Sequence, residues 1–155
     1  MIEGNEANKV TDVDNPKDFS DVLQHIQRSR QKIFAQINTA LIELYWHIGQ
    51  IISYKVNSQG WGKKVVTDLA QYIAQQDPEL KGFSDKNLWR MKQFFETYQG
   101  NEKLSPLVRE LSWTHNTIIF SRCKTAEERE YYLRLCIKEQ YSTRKLERKI
   151  STSHI

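Results

Sequence analysis

Apolar residues recur at intervals of three and four along most of this chain, the spacing of one helix face, and no segment alternates over the length of a strand. From about residue 19 to about residue 55 the apolar positions are Val22, Ile26, Ile33, Ile37, Leu41, Leu44, Ile48 and Ile51, with Arg30 at the one skipped turn. This predicts a long amphipathic helix, or two helices nearly in line. A helix of that length packs against a partner over much of its extent. His47, between Trp46 and Ile48, reads as a packed or hydrogen-bonded histidine. Asn57-Ser58-Gln59-Gly60 is a turn signal. A second helix follows over Lys63–Gln76, with Trp61 as a core anchor at its start and Val66, Leu69, Ala70 and Ile73 on one side. Pro78 ends it, since the residue before a proline avoids the helical region.

The stretch Gly82–Tyr98 has the best-marked start. Ser84 is a good N-cap, Phe83 and Leu88 have the spacing of a hydrophobic staple, and Asp85 suits the positive end of the helix dipole. Leu88, Met91, Phe95 and Tyr98 predict the buried stripe. On the opposite side fall Lys86, Arg90, Gln93 and Thr97: two cations, an amide and a hydroxyl. Arg and Lys pair with guanine edges or phosphates and Gln pairs with adenine, so this face is a candidate DNA reader; the alternative is a solvated face. Together with 63–76 it makes a helix-turn-helix-like pair, with a longer connection than the tight form has. Beyond Gly100-Asn101 come a short helix after Leu104, one over Trp113–Ser121 capped by Ser112, one opened by the capping-box spacing Thr125 to Glu128 with Tyr131 or Tyr132, Leu135 and Cys136, and a last one capped at Ser142-Thr143. That last helix carries Leu146 and Ile150 among Arg144, Lys145, Arg148 and Lys149, and Arg144, Lys145 and Arg148 are candidate phosphate clamps. The fold class expected is all-α, with six or seven helices, a long N-terminal helix and the helix-turn-helix-like pair.

Composition refines this. The net charge of +4 is unevenly placed, because residues 1–21 hold six carboxylates against two lysines. The remainder is a basic body, compatible with a nucleic-acid partner. Residues 1–18 have no apolar period and read as a flexible lead-in, leaving 19–151 as one helical domain. No apolar run is long enough to span a bilayer and no signal peptide is expected; with two cysteines and no disulfide framework, the expected location is the cytoplasm. Cys123 and Cys136 fall near apolar helical positions and read as buried free thiols.

Catalytic patterns are thin. There is no phosphate-binding glycine loop and no nucleophile elbow. His115, Cys123 and Cys136 are too loosely spaced for zinc. Glu79-Leu80-Lys81 and Glu147-Arg148-Lys149 match the Glu-x-Lys part of a metal-nuclease signature, but without the strands it needs. No catalytic residue, metal or cofactor is expected.

Five ordered blocks carry a resemblance: Leu44-Tyr45-Trp46-x-Ile48-Gly49; Trp61-Gly62-x-x-Val65-Val66-x-x-Leu69-Ala70; Gly82-Phe83-Ser84-x-x-Asn87-Leu88-x-x-Met91-x-x-Phe94; Trp113-x-His115-Asn116; and Tyr141-Ser142-x-x-x-Leu146-x-x-x-Ile150. Together, over about 22 to 151, they resemble the N-terminal domain of the YhcG family. The resemblance implies a bacterial protein and a helical DNA-binding or targeting module, usually followed by a PD-(D/E)XK nuclease-like domain. That part's catalytic carboxylates have no counterpart among these residues. The expected partners are DNA, a second copy of the chain as a homodimer, and a nuclease-like domain or subunit; a membrane is not among them. The alternative function is an interaction or dimerisation module pairing through the long helix.

Overall fold

Seven helices form among residues 16–153, the part of the chain that the structure, a computed structural model, describes. They are α1 (Pro16–Gln59), α2 (Lys63–Gln76), α3 (Asp85–Tyr98), α4 (Ser105–Val108), α5 (Trp113–Arg122), α6 (Ala126–Glu139) and α7 (Thr143–Ser153). No strand occurs among the described residues, so the fold is all-α. Most of the lead-in expected over 1–18 lies outside the described residues, and α1 begins at Pro16. Residues up to Ile37 form one unit and residues from Asn38 another.

The starts lie where the capping residues put them. Ser84 Oγ accepts from Asn87 N–H at 3.1 Å, Ser112 Oγ from His115 N–H at 3.1 Å, Thr125 Oγ1 from Glu128 N–H at 3.1 Å, and Ser142 Oγ from Lys145 N–H at 3.1 Å. Each satisfies a backbone donor that has no partner inside its helix. Glu128 also reaches back to the Lys124 N–H at 3.1 Å, close to the reciprocal capping arrangement.

Within the second unit, α5 is the hub, packing against α3, α6 and α7; α2 packs on α3 and α4 on α6. Phe94 of α3 is fully buried at the centre, with the rings of Trp46, Tyr98, Trp113 and Phe120 at 5.3–5.8 Å. The aromatic expected on this stripe was Phe95; it is only half-buried, against Trp46. The reason is that α3 is covered on two sides, by α1 and by α5, so its buried arc is wider than one stripe. Tyr132 is the buried member of its pair and Tyr131 is exposed. Asn116, fully buried, donates to the carbonyls of Val108, Leu111 and Ser112 at 2.9–3.3 Å and so ties down the turn between α4 and α5.

The largest difference from the periodicity concerns α1. Its buried residues are Ile42, Tyr45, Gly49, Ile52 and Ser53. The anticipated stripe of Val22, Ile26, Ile33, Ile37, Leu41, Leu44 and Ile51 is exposed, and Ile48 is half-buried. The buried row lies one residue, about 100°, around the helix from the stripe. Gly49 explains the choice. A β-carbon built there would overlap the Met91 carbonyl oxygen and lie 2.6 Å from its carbon. Only glycine lets the α1 backbone touch the α3 backbone, and this contact rotates Tyr45 and Ile52 inward. His47 consequently points outward and is exposed, not packed.

Both cysteines are buried and unpaired, and burial pushes their thiols from 9.0 up to about 11.

Two outcomes are expected. Gly49→Ala should lower unfolding free energy by about 1–3 kcal/mol through overpacking, although alanine is intrinsically the better helix former by about 1 kcal/mol; a denaturant titration that finds the variant as stable as the parent disproves the close crossing. The thiols give a pH dependence. Their folded value lies above the unfolded one, so their contribution is complete below pH 9.0 and is lost as pH rises towards about 11. The melting temperature should fall across that window, and less steeply in the Cys123→Ala, Cys136→Ala double variant.

Candidate nucleic-acid interface

The helix-turn-helix-like pair is held at both ends of its connection. Asp77 N–H donates to the Ile73 carbonyl at 2.9 Å and Leu80 N–H to Asp77 at 3.1 Å, closing α2. Gly82 has φ +92°, a left-handed conformation suited to glycine, and a β-carbon there would sit 3.1 Å from the Tyr45 hydroxyl. Its carbonyl accepts from Asn87 Nδ2 at 2.5 Å, and Asn87 Oδ1 accepts from Trp113 Nε1 at 2.9 Å. Asn87 therefore fixes the start of α3 to its own connection and to α5. Thr67 of α2 donates to Asp85 at 3.3 Å. Val66, Leu69 and Ala70 pack with Phe83, Leu88 and Met91 beneath.

On this frame Lys86 and Gln93 are exposed and Arg90 is half-buried on α3. Neither cation pairs with a carboxylate of the described residues. Thr97 donates its hydroxyl back to the Gln93 carbonyl at 2.7 Å, so it is engaged within the helix. The N-terminus of α3 is occupied by Ser84 and by Asp85, whose carboxylate accepts from the Lys86 N–H at 2.7 Å. An anion meeting this helix meets side chains, not free backbone donors. Lys92 is spoken for: it pairs with Glu96 at 2.9 Å and lies over the Trp89 ring. Burial raises the Glu96 carboxyl, but hydrogen bonds from Ser53 and Lys92, the Lys92 charge and Asn57 outweigh it and hold Glu96 below the usual range.

The second basic surface is α7. Leu146 and Ile150 are buried, while Arg144, Lys145, Arg148 and Lys149 are exposed and unpaired among the described residues, with Glu147 the one carboxylate in the helix. Lys145 rests over the Tyr141 ring at 5.0 Å, and Lys145, Arg148, Lys149 and Thr152 line a shallow groove. Arg122, from the last turn of α5, donates to Ser151 at 2.9 Å and adds a cation beside α7. Sequence reasoning missed Arg122, because its proximity to Ser151 comes from tertiary packing. It also left out Lys149, although the basic run containing it was visible. The structure thus gathers Lys86, Arg90 and Gln93 on α3 and Arg144, Lys145 and Arg148 on α7. The two helices each pack on α5, and no hydrogen bond or ion pair joins the two sets.

The remaining chemistry is structural. His115 Nε2 lies 2.7 Å from the Tyr141 carbonyl, which can only accept, so Nε2 carries the proton and Nδ1 accepts from the Ser112 hydroxyl at 2.6 Å. Nε2 joins α5 to the turn before α7, and Nδ1 stays with the cap of its own helix. No group of three His, Cys, Asp or Glu among the described residues is placed to hold a metal ion. Glu79 sits on the α2–α3 connection and Glu147 on α7, neither on a strand. No helix among the described residues is long and apolar enough to cross a membrane.

Comparison with known proteins is informative at the level of family. Neither a search of curated proteins nor one of solved structures finds a match. A family model described as the DUF1016 N-terminal domain matches residues 21–154, which include all seven α3 and α7 positions Lys86, Arg90, Gln93, Arg144, Lys145, Arg148 and Lys149. The chain therefore belongs to the DUF1016 N-terminal domain family, the N-terminal domain of YhcG-like proteins.

Proposed function

We propose that this domain binds DNA through the outer face of α3 and the exposed side of α7, as the targeting module of a nuclease-like bacterial protein acting in the cytoplasm, with no catalysis of its own. The observation that carries the reading is the set of exposed cations on α7, none neutralised by a carboxylate of the described residues. Surface cations kept apart from acids leave a positive potential that phosphates can fill with release of counterions. The α3 face adds Lys86 and Arg90 as cations and Gln93 as an amide able to read adenine. Its rigid seating through Asn87 and Trp113 supports a defined docking geometry.

A second reading, an interaction module, is favoured by one observation: the first buried residue of α1 is Ile42, so its N-terminal part covers none of its apolar side chains within the described structure.

Titration of a labelled duplex at two salt concentrations tests the DNA reading. The parent should bind more weakly as salt rises, and Arg144→Ala with Lys145→Ala should flatten the salt slope by about two units, one per phosphate contact. Arg90→Ala should cost about 1–3 kcal/mol on a preferred site if it touches a base. No binding by the parent at low salt, or parental binding by both folded variants, refutes it. The domain should also leave plasmid DNA uncut in magnesium or manganese. Cutting that is lost on changing Glu79 or Glu147 would show catalysis by this chain.

A further inference from the structure

The N-terminal part of α1, residues 16–37, is helical without any buried residue. Phe19, Val22, Ile26, Ile33 and Ile37 recur on one face, with Phe34 at its edge, and each is about half exposed. A helical segment of this length gains little from propensity alone and is stabilised by covering such a face. Its charges specify the cover. Arg30 lies within the apolar face, its guanidinium 5.6 Å over the Phe34 ring. Asp18, His25 and Lys32 recur every seven residues and line one flank. Lys32 has no carboxylate within one turn, and Arg28 four residues before it is a like charge, which destabilises a lone helix.

We propose that this face pairs with the same segment of a second copy, antiparallel, about a twofold axis near His25. The inference rests on the interaction reading and not on DNA contact. In an antiparallel pair each flank meets its own reverse, so Asp18 lies level with Lys32 of the second copy, and the pair occurs twice by symmetry. Arg30 then lies level with Ser20 of the second copy, at its acidic end, and Val22 and Ile26 of the two copies alternate about the axis. A parallel pair in register would instead set Arg30 against its own copy inside the apolar seam, where an unpaired cation is costly. It would also put the Asp18–Lys32 flank opposite Ser20, Gln27 and Phe34, which carry no charge.

Sedimentation or light scattering on the full chain at tens of micromolar (roughly the range in which a modest dimer populates) reads this directly. The parent should have a dimer mass that persists in high salt. Lys32→Asp and Asp18→Lys should each weaken it on the order of tenfold, and the two together should restore it. Ile26→Asp with Ile33→Asp should give a monomer whose circular dichroism still shows the helices from Asn38 onward. A monomeric parent overturns self-pairing altogether. A dimer that survives the Ile26 and Ile33 changes overturns the assignment to this face. A dimer indifferent to both single charge changes overturns the antiparallel arrangement while leaving the interaction reading in place.

Discussion

The seating of α1 on α3 depends on one backbone crossing. Gly49 of α1 lies against the Met91 carbonyl of α3 so closely that no β-carbon fits. Dispersion attraction falls off steeply with separation, so two helices in backbone contact bring all the side chains around the crossing within packing distance. Tyr45 and Trp46 on one side and Ile52 and Ser53 on the other are seated by this approach: Tyr45 against Phe83 and Trp113, Trp46 against Phe94 and Phe95, and Ser53 as a 2.6 Å donor to Glu96. The core of the second unit forms two clusters that share Trp113 at their edge.

That seating holds α3 from three sides. Its inner arc is held by α1, α2 and α5, its start is fixed by Ser84 and Asn87, and Lys92 is withdrawn into the pair with Glu96. On the remaining side Lys86 and Gln93 are exposed and Arg90 is half-buried, and neither cation pairs with a carboxylate of the described residues. On α7 the division is the same: Leu146 and Ile150 hold the helix to the core, and the cations face away from them. In both helices, changes at the exposed positions of the outer face leave the core closed.

How much of this was legible in the sequence can be seen residue by residue. The caps Ser84, Ser112, Thr125 and Ser142 act on donors three residues away, so local sequence places the helix starts without reference to the fold. The basic face of α3 and the basic run of α7 were visible for the same reason, being spaced along single helices. The Glu-x-Lys matches were legible as letters only; on a connector and a helix they lack the sheet that gives the pattern its geometry.

Sequence by itself thus determined the all-α class, the starts of α3, α5, α6 and α7, and which residues share a face, because these depend on contacts within a turn or two. Tertiary structure alone decided which face is used. The stretch from Leu41 to Ile52 is apolar on two adjacent rows, 41-44-48-51 and 42-45-49-52, and periodicity cannot rank them. The second row won because it contains Gly49, and a glycine is only an advantage once another backbone arrives to occupy the missing side chain's place. Tertiary structure likewise chose Phe94 over Phe95, brought the Tyr141 carbonyl to His115, and brought Arg122 to α7. Each of these rests on groups distant in sequence, whose meeting no local spacing encodes.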